Sequence, residues 1–320
     1  MAIVDRQATE RLVPSESGRE RSRKAKPGRS PAHRYDGRLA WILITPALIG
    51  FLVFAVYPAL RGIYLSFTDF HVLTPPKWTG FANLTELIHD DVFWTSLLVT
   101  AYFVVLSVVV GTVVSVITAV VLHRLTGSTV VRGLIILPFL ISGVVAATVW
   151  SWMMDSQLGI INVVLTHVFG QPTLFLGSRA WAIPSIAMIG VWKSMGYNAI
   201  IVFAGLQTIP PSVYEAGRLD GAGEVRMFRH LTLPLLRPIL AMVIVLSVIG
   251  SFQVFDLVAV TTKGGPANAS NVLPMYIYTK AFSQFDFGYA ATMSLALFVM
   301  LMIITFLQMR LLRAGESDTN

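Results

Sequence analysis

The sequence predicts an all-α protein that crosses a membrane six times. Of its 320 residues, 55% are hydrophobic and only 13% are charged, about half the charged fraction of a soluble domain. The mean hydropathy is +0.69. Charged residues cluster and leave apolar runs of about 20 residues or more, enough for a helix to cross the roughly 30 Å hydrocarbon core of a bilayer. The predicted spans are 39–67, 92–122, 133–154, 181–206, 239–260 and 287–309.

The segment before the first span is polar and basic. It holds 10 of the 24 Lys and Arg residues, so the net charge of +7 arises largely there and does not indicate nucleic-acid binding. The composition, rich in Ser, Pro and Arg, predicts a disordered cytoplasmic tail over 1–38. It is too long and too polar for the start of a cleaved signal peptide. Residues 39–313 then form the transmembrane domain, and 314–320 form a cytoplasmic end.

Loop charges predict the orientation of the spans. Lys and Arg favour the cytoplasmic side, and they alternate from loop to loop. The loop after span 1 has one Lys against four acidic residues, whereas the connection between spans 4 and 5 carries four Arg. Both termini are therefore predicted to be cytoplasmic. The weakly positive loop between spans 5 and 6 is the exception to the alternation. The basic positions are Arg124 and Arg132; Arg218, Arg226, Arg229 and Arg237; and Arg310 and Arg313.

A polar segment, 210–238, interrupts the apolar chain between spans 4 and 5. Two prolines (210 and 211) end the preceding helix, and Ser212 followed by Glu215 matches a capping box. Gly221 and Gly223 break this helix. A second short helix is predicted to run to about residue 230, with Pro234 as the residue that prevents its continuation. The pattern predicts a helix–turn–helix at the cytoplasmic surface.

Small side chains in this segment (Ala216, Gly217, Ala222, Gly223) allow another surface to approach its backbone closely. The alternative is an amphipathic helix resting on lipid headgroups, which needs large apolar residues opposite a basic face. The first half of the segment instead offers small residues and a glycine hinge. Docking onto a protein is the favoured interpretation.

The spacing of this segment closely resembles the EAA loop of binding-protein-dependent ABC importer permeases. The sequence has Glu215-Ala216-Gly217, three residues, Gly221, nine residues, then Leu231-Thr232-Leu233-Pro234. It departs from the family pattern at Gly217, where the family has Ala, and at Leu231, where it has Ile. Three further stretches are similar to the maltose-type, carbohydrate-importing branch: ITPALIGFLVFAVYPAL, LIILPFLISGVVAATVWSWM and TTKGGPANAS.

The resemblance implies a coupling helix seated in a cleft of a cytoplasmic ATPase. It further implies a second permease subunit, two copies of the ATPase, an extracytoplasmic solute-binding protein and a location in the bacterial inner membrane. ATP and Mg are then bound by the partner ATPase, and the chain itself needs no cofactor. The residues implied in coupling are Glu215, Ala216, Gly217, Asp220, Gly221, Ala222, Gly223, Leu233 and Pro234.

Polar residues within spans 4 and 5 are candidates for the substrate path, because such residues are costly in a membrane. Trp192 and Gly196 share one helix face and Lys193 and Tyr197 the next, which suits a sugar: rings stack on C–H faces while donors bind hydroxyls. The resemblance places the path along these same two spans. The candidates are Trp192, Lys193, Gly196, Tyr197, Asn198, Ser251, Gln253 and Asp256.

Structural roles compete with substrate contact at several of these positions. Trp192, Tyr197 and Gln253 are as well suited to structural roles as to substrate contact, and Ser251 is also suited to contact between helices. For Lys193 and Asp256 an ion pair is the preferred interpretation over substrate contact, and snorkelling is a further structural role for Lys193. One Lys beside one Asp favours a neutral cargo over an anionic one. A glycerol phosphate or sugar alcohol is the alternative cargo within the same importer class.

Other function classes fit the sequence poorly. It contains no cysteine, no P-loop, no nucleophile motif, and six scattered histidines without metal-ligand spacing. The chain is therefore predicted to be non-catalytic and without a metal. A membrane-embedded enzyme would need a cluster of ionisable groups within the bilayer, and an ion-coupled secondary transporter would show two related halves with broken spans.

Overall fold

The computed structural model of the protein describes residues 35–72, 74–125 and 128–313. Most of the predicted tail, and the predicted cytoplasmic end 314–320, lie outside the described residues. Contacts divide the chain into two units, 1–58 and 59–320. In the first unit, helix α1 (Tyr35–Phe51) leads into a π-helical turn, Leu52–Val56. Helix α2 (Tyr57–Leu65) follows directly.

The remaining elements are predominantly helical. A small antiparallel hairpin pairs Thr68 with Trp78. The elements are β1 (Thr68–Asp69), β2 (Lys77–Trp78), α3 (Ala82–His89), α4 (Asp91–Leu125), α5 (Thr129–Leu140), α6 (Gly143–Met153), α7 (Ile160–Phe169), α8 (Ala182–Leu206), α9 (Pro211–Leu219), α10 (Glu224–Met227), α11 (Leu233–Phe252), α12 (Asp256–Thr261), α13 (Leu273–Tyr278) and α14 (Phe287–Arg313), with π-helical turns at Phe228–Thr232 and Thr279–Ser283.

Five helical stretches of the described residues are long and apolar enough to cross a membrane. They coincide with predicted spans 1, 2, 4, 5 and 6 apart from their ends, so long apolar helices are present where these five spans are predicted. The stretches are Ala40–Leu65, Asp91–Arg124, Ala182–Leu206, Glu224–Thr261 and Phe287–Leu311.

The third predicted span, 133–154, is not one helix. It is divided into α5 and α6, which meet at an angle of 91°. Helix α5 contains Pro138, which has no N–H to donate, and the backbone becomes extended at Ile141 and Ser142 before α6 begins at Gly143. The pair counts as a sixth span only if the two bent halves are taken together.

The centre of the second unit is the contact between α4 and α8. The hydroxyl of Ser115 on α4 donates a hydrogen bond to the Met195 carbonyl on α8, with an Oγ–O distance of 3.2 Å. Buried apolar side chains of α4, α6, α8 and α12 form one core, including Phe103, Ala147, Ile186 and Val258. A second core joins α4, α8 and α11 nearer the polar segment.

At Gly196 the backbones of α8 and α5 are in direct contact. A Cβ built on Gly196 would lie 1.9 Å from the Ile135 carbonyl oxygen. The absence of a side chain is therefore what allows the two helices to approach this closely. The space beside Gly196 is therefore filled by the backbone of α5.

Candidate functional site

Helix α9 of the polar segment starts at Pro211, with Pro210 as its N-cap. The predicted capping box is wrong, because Ser212 lies inside the first turn and no side chain caps this helix end. Proline suits the first helical position: its fixed φ is already helical, and the N–H it lacks would have no partner there. The helix therefore begins before Ser212 can act as its cap.

The predicted break at Gly221 is confirmed. Gly221 has φ of +75°, in the left-handed region that glycine adopts without strain. The Ala222 N–H donates to the Gly217 carbonyl at 2.9 Å, and the Gly221 N–H donates to the Arg218 carbonyl at 3.0 Å. These two bonds form a Schellman motif, which satisfies the last carbonyls of α9 and reverses the chain.

The second half of the segment continues into span 5 without interruption. Helix α10 passes through the π-helical turn Phe228–Thr232 directly into α11. The prediction that Pro234 ends a helix is wrong. The Leu233 N–H donates to the Phe228 carbonyl, five residues back. This π-helical turn shifts the hydrogen-bond register just before Pro234, so that a residue without an N–H is accommodated.

The two halves fold against each other as a hairpin, called here the coupling hairpin (residues 211–232). Gly217 is buried, and a Cβ built on it would lie 3.5 Å from both Met227 Cγ and Met227 Sδ. The hydroxyls of Tyr214 and Thr232 are 3.2 Å apart and hydrogen-bonded. With Met227 also buried, the hairpin is a packed unit and not a loose loop.

The outer surface of the coupling hairpin exposes large apolar side chains. Leu219 is 90% exposed and Val225 is 81% exposed, while Glu215 and Ala216 are also at the surface. Sequence reasoning did not single out Leu219 or Val225. The available signal was an apolar residue between Arg218 and Asp220 within an otherwise polar segment.

One ion pair ties the coupling hairpin to span α4. Arg124 Nη2 lies 2.7 Å from Glu224 Oε2, and both side chains are about half exposed. Between the hairpin and the ends of α4 and α8 is a cavity of about 580 Å³ with lining charges of both signs. The lining includes His123, Tyr214 and the charged residues Arg124, Glu215, Arg218 and Glu224.

A second cavity lies within the membrane part, between α4, α8 and α11, with a volume of about 280 Å³. It brings together three of the predicted path residues: Tyr197, Asn198 and Ser251. The Asn198 amide donates to the Ser247 hydroxyl at 3.3 Å. Three serines that sequence reasoning missed also line it, namely Ser107, Ser194 and Ser247. The Ser107 hydroxyl is buried and has no partner among the described residues.

Five predicted path residues lie outside this cavity: Trp192, Lys193, Gly196, Gln253 and Asp256. Trp192 packs edge-to-face on Trp150, with ring centroids 5.5 Å apart. The Lys193 ammonium lies 5.6 Å from the centroid of the Phe139 ring, and Phe139 stacks on Tyr197 at 4.5 Å. In the described residues Lys193 has no ion pair with Asp256, so that preferred interpretation is wrong: a ring on α5 takes the place of the carboxylate. Gly196 contacts α5, as described above.

Two helix breaks meet close to the cavity. Span 5 is interrupted at Gln253–Phe255, between α11 and α12. Asp256 begins α12, and a Cβ on Gly143, at the start of α6, would lie 3.0 Å from its Oδ2. The break in span 5 thus faces the break between α5 and α6. Helix ends within a membrane present backbone polar groups that a continuous helix hides. Gln253 is exposed at this point.

At the end of α4 opposite the coupling hairpin, Asp90 connects three elements. Its Oδ2 accepts hydrogen bonds from the Tyr276 and Tyr289 hydroxyls at 2.7 and 2.6 Å. Its Oδ1 accepts from the Val92 and Phe93 N–H groups. Burial alone would raise the pKa of Asp90, but these four hydrogen bonds outweigh it and hold the pKa below its usual value. Burial and the Asp90 carboxylate raise the pKa of Tyr276.

Comparison with known proteins gives concordant matches. The family model described as "Binding-protein-dependent transport system inner membrane component" matches residues 42–316. The chain is 35% identical over 288 residues to the lactose transport system permease protein of Rhizobium radiobacter, covering 88% of this chain and 96% of that protein. It is 31% identical over 285 residues to the sulfoquinovosyl glycerol transport system permease protein of Agrobacterium fabrum, covering 88% and 92%.

A solved structure shares the fold. A chain of a bacterial ABC transporter involved in the import of the acidic polysaccharide alginate superposes with a TM-score of 0.78 at 22% identity, covering 88% of this chain and 98% of that one.

Proposed function

The chain belongs to the family of binding-protein-dependent transport system inner membrane components, and from this premise we propose that it forms half of the translocation pathway of an ATP-driven importer for a sugar or oligosaccharide. Relatives named for lactose and for sulfoquinovosyl glycerol support this substrate class. As a member of a family of inner membrane components, the protein is proposed to lie in a bacterial inner membrane. Motion of the coupling hairpin opens and closes the path.

The coupling hairpin is the observation that carries the proposal. A motor can move the spans only through an element that is rigid and also accessible to it. The hairpin meets both requirements, because Gly217 and Met227 pack its interior while Leu219 stands 90% exposed at its turn. Exposed apolar side chains in a polar rim are typical anchors of protein interfaces. The hairpin is also continuous with span α11, so a displacement passes directly to the cavity.

The sugar path passes the cavity between α4, α8 and α11. Its lining combines an aromatic face (Tyr197 and Phe139) with hydroxyl and amide groups. This combination suits a sugar, whose C–H faces stack on rings while its hydroxyls exchange hydrogen bonds. The neighbouring break at Gln253–Phe255 adds backbone groups at the same level. We assign Gln253 and Asp256, which lie at this break, to the path, and Trp192 and Gly196 to contacts between helices.

The partners follow from the same arrangement. A cytoplasmic ATPase, present in two copies and binding ATP and Mg, receives Leu219 and Val225. A second permease subunit completes the pore, and an extracytoplasmic binding protein delivers the sugar.

A surface for that delivery is the loop after α12, where buried Ser270 and Asn271 anchor exposed Lys263, Ala267 and Asn268. These last three have φ of 53°, 46° and 62°, strained conformations that tend to cluster at functional sites.

The chain contains no cysteine, which makes thiol labelling a direct test. In the Leu219→Cys variant, a membrane-impermeant maleimide should react only from the cytoplasmic side, and addition of the ATPase should protect the thiol. Co-purification of the ATPase should fall at least tenfold in Leu219→Asp and stay unchanged in the apolar control Leu219→Met. Labelling from the outer side, or wild-type protein that recovers no ATPase, would refute the proposal.

A further inference from the structure

Five aromatic rings form a continuous row at the end of the molecule opposite the coupling hairpin. Neighbouring ring centroids are 5.0 Å apart from Phe255 to Tyr278, 5.0 Å from Tyr278 to Phe282, and 5.7 Å from Phe282 to Phe287. Phe70 adds the last contact, 5.9 Å from Phe287. These five residues are called the aromatic row. They come from four separate parts of the sequence, so the row exists only in the folded chain.

The row begins at the proposed sugar path. Phe255 lies in the break of span 5, between Gln253 and Asp256. From there the row follows α13 and the π-helical turn Thr279–Ser283 to Phe287, the first residue of span α14. The aromatic row therefore connects the interrupted part of span 5 with the first residue of span 6.

Two rings of the row are exposed, and the other three (Phe70, Phe255 and Phe287) are half-buried. Phe282 is 58% exposed and Tyr278 is 43% exposed. Between Phe282 and Phe287 the chain exposes another ring, Phe285, at a backbone φ of +59°. A bulky residue in the left-handed region is strained. The His71 ring holds this turn, with its Nδ1 at 3.3 Å from the Phe285 carbonyl oxygen.

We propose that the aromatic row is a binding surface for the sugar at the outer mouth of the path, over which the carbohydrate passes to the cavity by stacking its C–H faces on successive rings. The proposal rests on the proposed function. Rings about 5 to 6 Å apart offer a new stacking partner before the previous one is lost, so that a sugar can advance in small steps. Each step exchanges one weak contact for another, so the surface binds the sugar weakly and no single position on it holds the sugar tightly.

The composition of the row argues against a lipid-facing belt. Aromatic belts at membrane interfaces are enriched in Trp and Tyr, whose polar groups reach the headgroups, whereas four of the five rings in the row are Phe. Groups that can bind hydroxyls stand beside it. Gln284 is exposed next to Phe282, and the His71 imidazole lies 3.1 Å from the Asp69 carboxylate. Rings beside amide, imidazole and carboxylate groups match the mixed surface of a sugar.

The first test measures weak sugar binding directly, by saturation-transfer NMR. The assembled membrane complex in nanodiscs, without binding protein or nucleotide, is irradiated at its aromatic protons with lactose or maltotriose as the probe. Wild-type protein should transfer saturation to the sugar C–H protons. The Tyr278→Leu/Phe282→Leu double variant should lose at least about threefold of this signal, since each ring contributes a modest stacking energy. Phe298→Leu is the matched control, because Phe298 is 60% exposed on α14 and lies outside the row.

A second measurement separates sugar-facing from lipid-facing rings. In Phe282→Trp and Phe298→Trp variants, quenching of the added tryptophan by brominated phosphatidylcholine should be strong at position 298 and weak at 282. Equal quenching at both positions would assign the row to lipid and overturn the proposal. An unchanged NMR signal in the double variant would do the same. ATPase association through Leu219 is measured separately and should be normal in the row variants, so failure of this inference is distinct from failure of the proposed function.

Discussion

Gly217 lies directly against Leu231: a Cβ built on Gly217 would stand 3.0 Å from Leu231 Cδ1. These are the two positions at which the coupling hairpin departs from the family pattern of Ala and Ile. Gly217 lacks the methyl group of the family's Ala, and the Leu231 side chain extends a methyl group toward the space that this leaves. The two departures therefore compensate each other across the hairpin, and the stiffness of α9 does not depend on the residue at 217 alone.

A double-mutant cycle on this pair should show coupling of about 1 kcal/mol. Gly217→Ala alone gains helix propensity but crowds Leu231, and Leu231→Ile alone leaves space beside Gly217. The double variant should therefore be more stable than the sum of the single changes. Thermal unfolding of the purified complex measures all three. Strict additivity would show that the two side chains do not compensate.

Gly196→Ala should destabilise the protein by roughly 3 kcal/mol. The new methyl would meet the Ile135 carbonyl at 1.9 Å, and neither backbone can yield without separating α5 from α8. Gly250→Ala is the matched control, because this glycine also lies in a membrane helix and has nothing within 4 Å of its added Cβ. Yield and melting temperature after purification provide the measurement. Equal behaviour of the two variants would contradict the close approach.

Tyr197→Leu and Trp192→Leu should fail in different ways. Tyr197 lines the cavity, so its loss should lower sugar-stimulated ATPase activity about tenfold, the equivalent of one good contact. Trp192 packs on Trp150, so its loss should lower the melting temperature while the activity of each folded complex is kept. Wild-type activity in Tyr197→Leu would remove the cavity from the path.

Charge reversal should test the link between the coupling hairpin and span α4. Arg124→Glu and Glu224→Arg should each lower sugar-stimulated ATPase activity by about threefold, and the double reversal should restore it. Their effect on melting temperature should be small, since a half-exposed ion pair contributes about 0.5 kcal/mol. ATPase assays on the reconstituted importer decide the matter. A double variant as impaired as the worse single one would show that the pair does not transmit motion.

Acid should weaken the end of the bundle opposite the coupling hairpin through Asp90. Its pKa is lower in the folded protein than the ordinary value of 3.8. The stabilisation is therefore fully present above about pH 4 and is lost as the pH falls through the folded pKa. Asp90→Asn should lower the melting temperature at pH 6 and flatten its decline below pH 4. Melting curves from pH 6 to pH 3 measure this, and parallel declines in wild type and variant would exclude the role.

The sequence by itself determined the membrane class, the positions of five long apolar helical stretches and the glycine turn at Gly221. Apolar runs, proline and glycine positions and a spaced motif are local properties, and they survive as local structure. Even so, Ser212 and Pro234 were misjudged, because the start of α9 and the π-helical turn depend on the backbone hydrogen-bond register, which residue identities alone do not specify.

Only the tertiary structure decided which side chains meet. Lys193, predicted to pair with Asp256, lies over the Phe139 ring, and Gly196, predicted to line the path, contacts the α5 backbone. Packing on α5 determines which partner is within reach. Ser107 and Ser247 joined Tyr197 in one cavity, and five rings from four chain segments became one row. Such groupings arise from contacts between residues far apart in sequence, and helical periodicity describes only one helix at a time.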